Sequence, residues 1–418
     1  MLRLFLCVFV SFVSFVVEMR ASAAELPTSM PAAEGMSAAK LAEVGKIMNG
    51  FINDHKIAGG IVLVARNGKV LFHEPYGLMN LETKQPVTRD TIFRIYSMSK
   101  AITSAAALIL HDEGKLDLQA PVAKYLPEFT NMKIIDGDKQ RPAECEMTVE
   151  QLFTHTSGIT YGNPQGNQTE VMMELTEALD MQSDLALMTT KLSQIPLPFE
   201  PGTDWKYGAG IDVLGRVVEI VSGKPLDEFL SKRIFEPLGM TDTGFYVPAE
   251  KVERFAANYY SDGKGRMIIR DDPQRSGYLR KPGLLSGGGG LVGTASDYMR
   301  FLLMIAGDGE FNGQRILSKE SVDLMRTDQV PKLAGWVKFG EEERTGVGYG
   351  LGFSVTTEAH KNNPHAKQGE YGWGGAASTH YWLSPDDDLV VVMMEQRMPY
   401  SPETEEKLKP VIYGAVEK

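Results

Sequence analysis

The most restrictive stretch of this 418-residue chain is Ala101-Ile102-Thr103-Ser104-Ala105-Ala106-Ala107-Leu108-Ile109-Leu110, apolar nearly all round a helical wheel. A helix of that kind has no face to give to water, so it must run through the interior of a folded body. Lys100 stands immediately before it. A lysine on a buried helix costs several kcal/mol unless a partner holds it, which makes a functional lysine a more economical reading than the usual surface one. Three residues earlier comes Ser97, in Ser97-Met98-Ser99-Lys100. On a helix, positions i and i+3 share a face, so the ammonium falls beside the hydroxyl. A serine hydroxyl is a poor nucleophile until a neighbour takes its proton, and a helix start adds backbone N–H groups that favour a developing oxyanion.

The S-x-x-K spacing alone is weak, because about one chance match is expected in a chain of this length. Ser37-Ala38-Ala39-Lys40 is such a match. Context separates the two. Ser37 reads as the N-cap of an amphipathic helix with Leu41, Val44, Ile47, Met48 and Phe51 at helical spacing. Ser97 instead follows the strand-like Thr91-Ile92-Phe93-Arg94-Ile95.

Other catalytic patterns are missing or read more simply. No serine lies in G-x-S-x-G, and no histidine falls in H-E-x-x-H or another zinc spacing, so neither a hydrolase elbow nor a metal is expected. His155, in Thr154-His155-Thr156-Ser157-Gly158, reads as a residue that orders a loop rather than a base. Gly287 to Gly290 lack a following Gly-Lys-Ser/Thr and read as a tight turn, not a phosphate cradle. Cys145 lies between Glu144 and Glu146, whose charges would weaken it as a nucleophile. No cofactor is expected.

The chain opens with Arg3, an apolar run from Leu4 to Val17, and small residues at Ala21-Ser22-Ala23-Ala24. This is the pattern of a secretory signal peptide over residues 1–24, which would carry Cys7 away with it. An uncleaved anchor is the lesser alternative, since the run is shorter than the roughly 20 residues a span needs. The expected location is therefore periplasmic or secreted, with no stable membrane span once the signal is removed. A net charge of −11 and the lack of any basic run leave no footprint for nucleic acid.

With 43% hydrophobic and 23% charged residues the remainder is of ordinary globular composition. Gly60 to Ala65 and Val70 to His73, joined by Arg66-Asn67-Gly68-Lys69, read as a hairpin; so do Thr379 to Leu383 and Leu389 to Met394 around Pro385-Asp386-Asp387-Asp388. A last helix is expected over Glu403 to Val416. Helical patterns such as Ala101 to Glu113 and Ile211 to Val221 lie between these ends, broken by Pro/Gly-rich stretches. The expected organisation is an α/β unit of residues 25–95 and 286–418 into which a mainly helical region, 96–285, is inserted.

Taken together, several ordered segments resemble the serine β-lactamase and D-alanyl-D-alanine carboxypeptidase superfamily, in its class C-like branch with the family VIII carboxylesterases. They are Phe93-Arg94-Ile95-Tyr96-Ser97-Met98-Ser99-Lys100, Leu152 to Gly158, Phe199-Glu200-Pro201-Gly202, Tyr207, Glu236-Pro237-Leu238-Gly239-Met240, Ser286 to Leu291 and Gly372-Trp373-Gly374-Gly375. The resemblance implies a β-lactamase/transpeptidase-like fold of the α/β (α+β) class, with an antiparallel sheet flanked by helices. It implies that Tyr207 joins Ser97 and Lys100 as catalytic residues, since a phenol beside an ammonium ionises more readily and can take the serine proton. It also implies an oxyanion hole from the backbone N–H groups of Ser97 and Ala376, and substrate binding by Trp373, Gly374 and Gly375. Two departures matter. Ala209 replaces the asparagine of Tyr-x-Asn, and Trp373 replaces the lysine that helps hold a substrate carboxylate. Both favour a small-molecule ester over a β-lactam. A β-lactamase or D-amino-acid peptidase on the same site is the alternative, and a non-catalytic binder of cell-wall peptides is a third.

Overall fold

Three strands from the first part of the chain and five from the last meet in one eight-stranded sheet. The computed structural model describes residues 25–262, 264–331, 337–339, 342–358 and 364–417. The expected signal segment and Cys7 lie outside the described residues. The strands are β1 (Gly59–Arg66), β2 (Lys69–Asn80), β3 (Gln85–Pro86), β4 (Val347–Tyr349), β5 (Ser354–Thr356), β6 (Tyr371–Gly375), β7 (Thr379–Ser384) and β8 (Leu389–Glu395). Their order is β4-β5-β6-β7-β8-β1-β2-β3, and each neighbouring pair is antiparallel. Strands distant in sequence are thus joined where β1 pairs β8, from Gly60 opposite Glu395 to Arg66 opposite Leu389. Asn67 and Gly68, at φ 52° and 73°, make the left-handed turn that a two-residue hairpin requires.

Helices cover both faces of the sheet. The ones that bear on the site are α1 (Glu43–Asn53), α2 (Ser99–Asp112), α3 (Gly210–Ser222), α4 (Ala295–Ala306) and α5 (Glu403–Gly414). On one face Val62, Val64, Val391 and Met393 meet Met48 and Phe51 of α1 and Leu408 and Ile412 of α5. On the other, Ile61, Leu63, Val392 and Met394 join the main core with Met299, Leu302 and Leu303 of α4. Each such side chain removed from water contributes roughly 1.5–3 kcal/mol. The strands are apolar on both sides because both sides are covered.

Helix α2 is buried from Ser99 through Leu110 and packs on α3, as a helix with no polar face must. Local differences from the sequence reading have local causes. The first amphipathic helix divides into Ala38–Leu41 and α1, with Ser37 accepting from the Lys40 N–H as its cap. The strand before Ser97 is only Phe93–Arg94, paired with Val292–Gly293, because Ile95 has already left extended geometry. The last helix stops at Gly414. Between the ends, Asn258–Ser261 and Met267–Asp271 form strands beside Arg397–Met398, in a segment whose turns read as loop. Among the described residues no helix is long and apolar enough to cross a membrane.

Glu395 lies inside this scaffold with its side chain fully buried, Oε2 accepting from Thr404 Oγ1 at 3.2 Å. Burial pushes its carboxyl up to about 7, against the pull of the nearby His380 and Arg397 charges. The native state therefore holds a proton that the unfolded chain has already lost above the usual carboxylate range. Its contribution is present at acid pH and disappears as pH rises through about 7, a difference of roughly 3 kcal/mol. Glu395→Gln, of the same shape and permanently neutral, should melt close to the parent at pH 5 and above it at pH 8. Thermal unfolding at the two pH values checks this.

Candidate active site

Ser97 occupies a single 3₁₀ turn, Tyr96–Met98, between the Phe93–Arg94 strand and α2. The turn is firmly held on either side. Arg94 is buried, ion-paired to Asp271 at 2.7 Å, donating to the Ala256 carbonyl at 2.6 Å and lying 3.9 Å over the Phe255 ring. Tyr96 takes a left-handed φ of 41°, unfavourable for a bulky residue, and its hydroxyl accepts from Asn258 Nδ2 at 3.2 Å. Tyr298 donates to the Met98 carbonyl at 3.0 Å. Backbone strain of this kind persists only where the surroundings fix it this way.

Lys100 sits in the first turn of α2 with no solvent exposure. Its Nζ donates to Ser97 Oγ at 3.4 Å, to Tyr161 OH at 2.9 Å and to the Gly288 carbonyl at 2.6 Å. Tyr207 precedes α3; its hydroxyl donates to Ser97 Oγ at 2.8 Å, and Lys100 Nζ stands 4.7 Å over its ring. Trp373, on β6, donates from Nε1 to Tyr207 OH at 3.3 Å. The serine oxygen thus faces two groups able to exchange a proton with it, and an indole N–H steadies the phenol oxygen.

Strand β6 approaches this turn closely. A Cβ on Gly375 would lie 2.4 Å from the Ile95 carbonyl oxygen and 2.3 Å from Thr379 Oγ1, so only glycine fits. Ser97, Trp373, Gly374, Gly375 and Ala376 all line one cavity of about 570 Å³, a size suited to a small organic molecule. Leu179, Met181 and Tyr278 also line it.

His155 is buried at a left-handed φ of 59°. Its ring lies 4.6 Å from that of Tyr207, its Nδ1 accepts from the Gly208 N–H at 3.4 Å, and its carbonyl accepts from the Lys206 N–H at 2.9 Å. Burial, reinforced by the Lys100 charge, holds the imidazole neutral. It grips the segment around Tyr207 rather than touching Ser97. Cys145 is exposed and apart from the cavity-lining residues.

The sequence reading did not single out Tyr161 as a functional residue. Burial pushes its phenol well above the ordinary range, the Asp212 carboxylate adding to the effect, so it stays protonated beside Lys100. Ala209 is fully buried at the start of α3 and offers no amide. No spacing rule ties position 161 to position 100, and only the folded chain shows the contact.

A family model described as Beta-lactamase matches residues 39–411. The chain is 36% identical to Protein Rv1367c of Mycobacterium tuberculosis over 353 residues, 82% of this chain and 86% of that one. It is 33% identical to Esterase EstB of Burkholderia gladioli over 372 residues, covering 84% and 89% of the two. Among solved structures, EstCE1, described as a hydrolase with promiscuous acyltransferase activity, superposes with a TM-score of 0.74 at 26% identity, over 90% of this chain and 100% of that one.

Tyr207→Phe removes the hydroxyl that contacts Ser97 while leaving the ring on His155. Labelling of Ser97 by a fluorophosphonate probe, followed by mass spectrometry, should slow by about 10²-fold or more with unfolding unchanged.

Proposed function

The chain belongs to the Beta-lactamase family, whose relatives of this chain include esterases and acyltransferases, and on that premise we propose that this serine hydrolase is an exported carboxylesterase. Ser97 attacks the ester carbonyl as its proton passes to the Tyr207 oxygen in its phenolate form, with Lys100 remaining the ammonium that stabilises that phenolate. The N–H groups of Ser97 and Ala376 receive the oxyanion, and collapse expels the alcohol, which takes the proton back. Water then attacks the acyl-enzyme by the same route and releases the acid. The N-terminal leader pattern supports export, and the acidic charge argues against nucleic acid as a partner.

One observation carries the preference for esters. At the β6 position where the resemblance to β-lactamases implies a lysine, this chain has Trp373, whose Nε1 donates to Tyr207 OH. An indole offers an apolar wall to an acyl or aromatic group and no charge for a carboxylate. That Esterase EstB is 33% identical to the chain supports the same choice.

The test compares a short-chain p-nitrophenyl ester with a chromogenic cephalosporin. The ester should turn over faster, and Ser97→Ala should reduce its hydrolysis to background, a loss of several orders of magnitude. Faster cephalosporin turnover would move the assignment to β-lactams. Failure of Ser97 to take a fluorophosphonate label would leave only a binding role.

A further inference from the structure

Ser286 is followed by four glycines, Gly287 to Gly290, and the carbonyl of Gly288 makes the shortest of the Lys100 hydrogen bonds, at 2.6 Å. A glycine run has no side chains to brace it and loses more conformational freedom on folding than any other sequence. By itself it would not keep one carbonyl on one ammonium. The neighbouring helices hold it. From α2, Thr103 Oγ1 donates to the Gly287 carbonyl at 2.8 Å, and Ser99 Oγ accepts from the Leu291 N–H at 3.1 Å. From α3, Asp212 Oδ1 accepts from the Gly288 N–H at 3.0 Å and from Ser286 Oγ at 2.5 Å.

Asp212 is 1% exposed, on a helix that begins just after Tyr207. One side-chain oxygen, Oδ1, accepts both bonds to the turn. The fit is close: a Cβ on Gly288 would lie 2.3 Å from Asp212 Oδ2, and one on Gly287 2.8 Å from Thr103 Cγ2. The backbone of Gly288 is thereby held on both sides. Its N–H is held by Asp212 and its carbonyl holds Lys100.

We propose that Asp212 is a positioning residue for Lys100, fixing the Ser286–Gly288 turn so that the Gly288 carbonyl keeps the ammonium beside Ser97. This rests on the reading of Ser97 and Lys100 as nucleophile and proton partner. Asp212 also borders the cavity, which makes direct substrate contact the rival role. The two differ in what they do to kcat and KM: loss of positioning lowers kcat, whereas loss of a binding contact raises KM.

Asp212→Ala, Asp212→Asn and Ser286→Ala are made in the full chain and assayed on p-nitrophenyl butyrate, with active sites counted by fluorophosphonate labelling. Asp212→Ala should lower kcat about 10²-fold with KM nearly unchanged, the effect of a displaced catalytic group. Asp212→Asn, which keeps the acceptor oxygen, should recover most of that loss, and Ser286→Ala should show a smaller loss of the same kind. Should Asp212→Ala not fold, a lowered kcat in Ser286→Ala with near-parental kcat in Asp212→Asn supports the proposal. A raised KM at unchanged kcat, or Asn and Ala variants equally impaired, overturns it. A parent enzyme that neither hydrolyses the ester nor takes the label fails at the earlier step, the proposed reaction itself.

Discussion

The Lys100 ammonium lies wholly out of solvent, and a charge so placed is tolerated only where its donors meet acceptors. It finds them in Ser97 Oγ, Tyr161 OH and the Gly288 carbonyl. These acceptors come from three separate segments. The arrangement of the whole region follows from bringing them to one point: the 3₁₀ turn presents Ser97, the loop after His155 brings Tyr161, and the glycine turn is pressed between α2 and α3. The apolar α2 helix supplies the rigid, dry mount that keeps the ammonium from reaching water.

Strand β6 shows how the site overrides propensity. Tyr-Gly-Trp-Gly-Gly is a poor strand sequence, since glycine neither packs nor resists unfolding. Tyr371 and Trp373 face the core and cavity side, packing with Phe353 and with Tyr207 and Tyr349. The glycines let backbone approach backbone, most tightly where Gly375 meets Ile95. Pairing with β7 across all five residues holds the strand in place despite its composition.

Behind the sheet, α5 is fastened by a buried ionic cluster rather than by apolar contacts alone. Lys409 Nζ bridges Glu370 at 2.6 Å and Glu405 at 2.8 Å, and Glu405 also meets His380 Nδ1 at 2.8 Å. Burial pushes the Glu405 carboxyl up, yet Lys409 and His380 overcome that and hold it below the usual carboxylate range. Buried ion pairs add little net stability against apolar packing, but they fix orientation. Here they orient a helix that contributes Glu405, Glu406 and Lys409 to the lining of the cavity.

What the sequence determined by itself was whatever depends on short spacing and on apolar pattern. Ser97 and Lys100 are three residues apart, the Asn67-Gly68 hairpin needs only its own turn, and the all-apolar α2 announces its burial. Ordered segments resembling one superfamily extended that to the antiparallel sheet and to Tyr207, whose phenol the structure places 2.8 Å from Ser97. The tertiary structure decided the rest, because the deciding contacts join residues far apart in the chain. Tyr161 meets Lys100 across 61 positions, and Gly288 does so across 188. The Thr91–Ile95 strand shortened because the turn that carries Ser97 follows at Tyr96 and Ile95 has already left extended geometry. Asp212 shows no pattern in its own helix. Its importance comes from the glycine turn that folding lays against it.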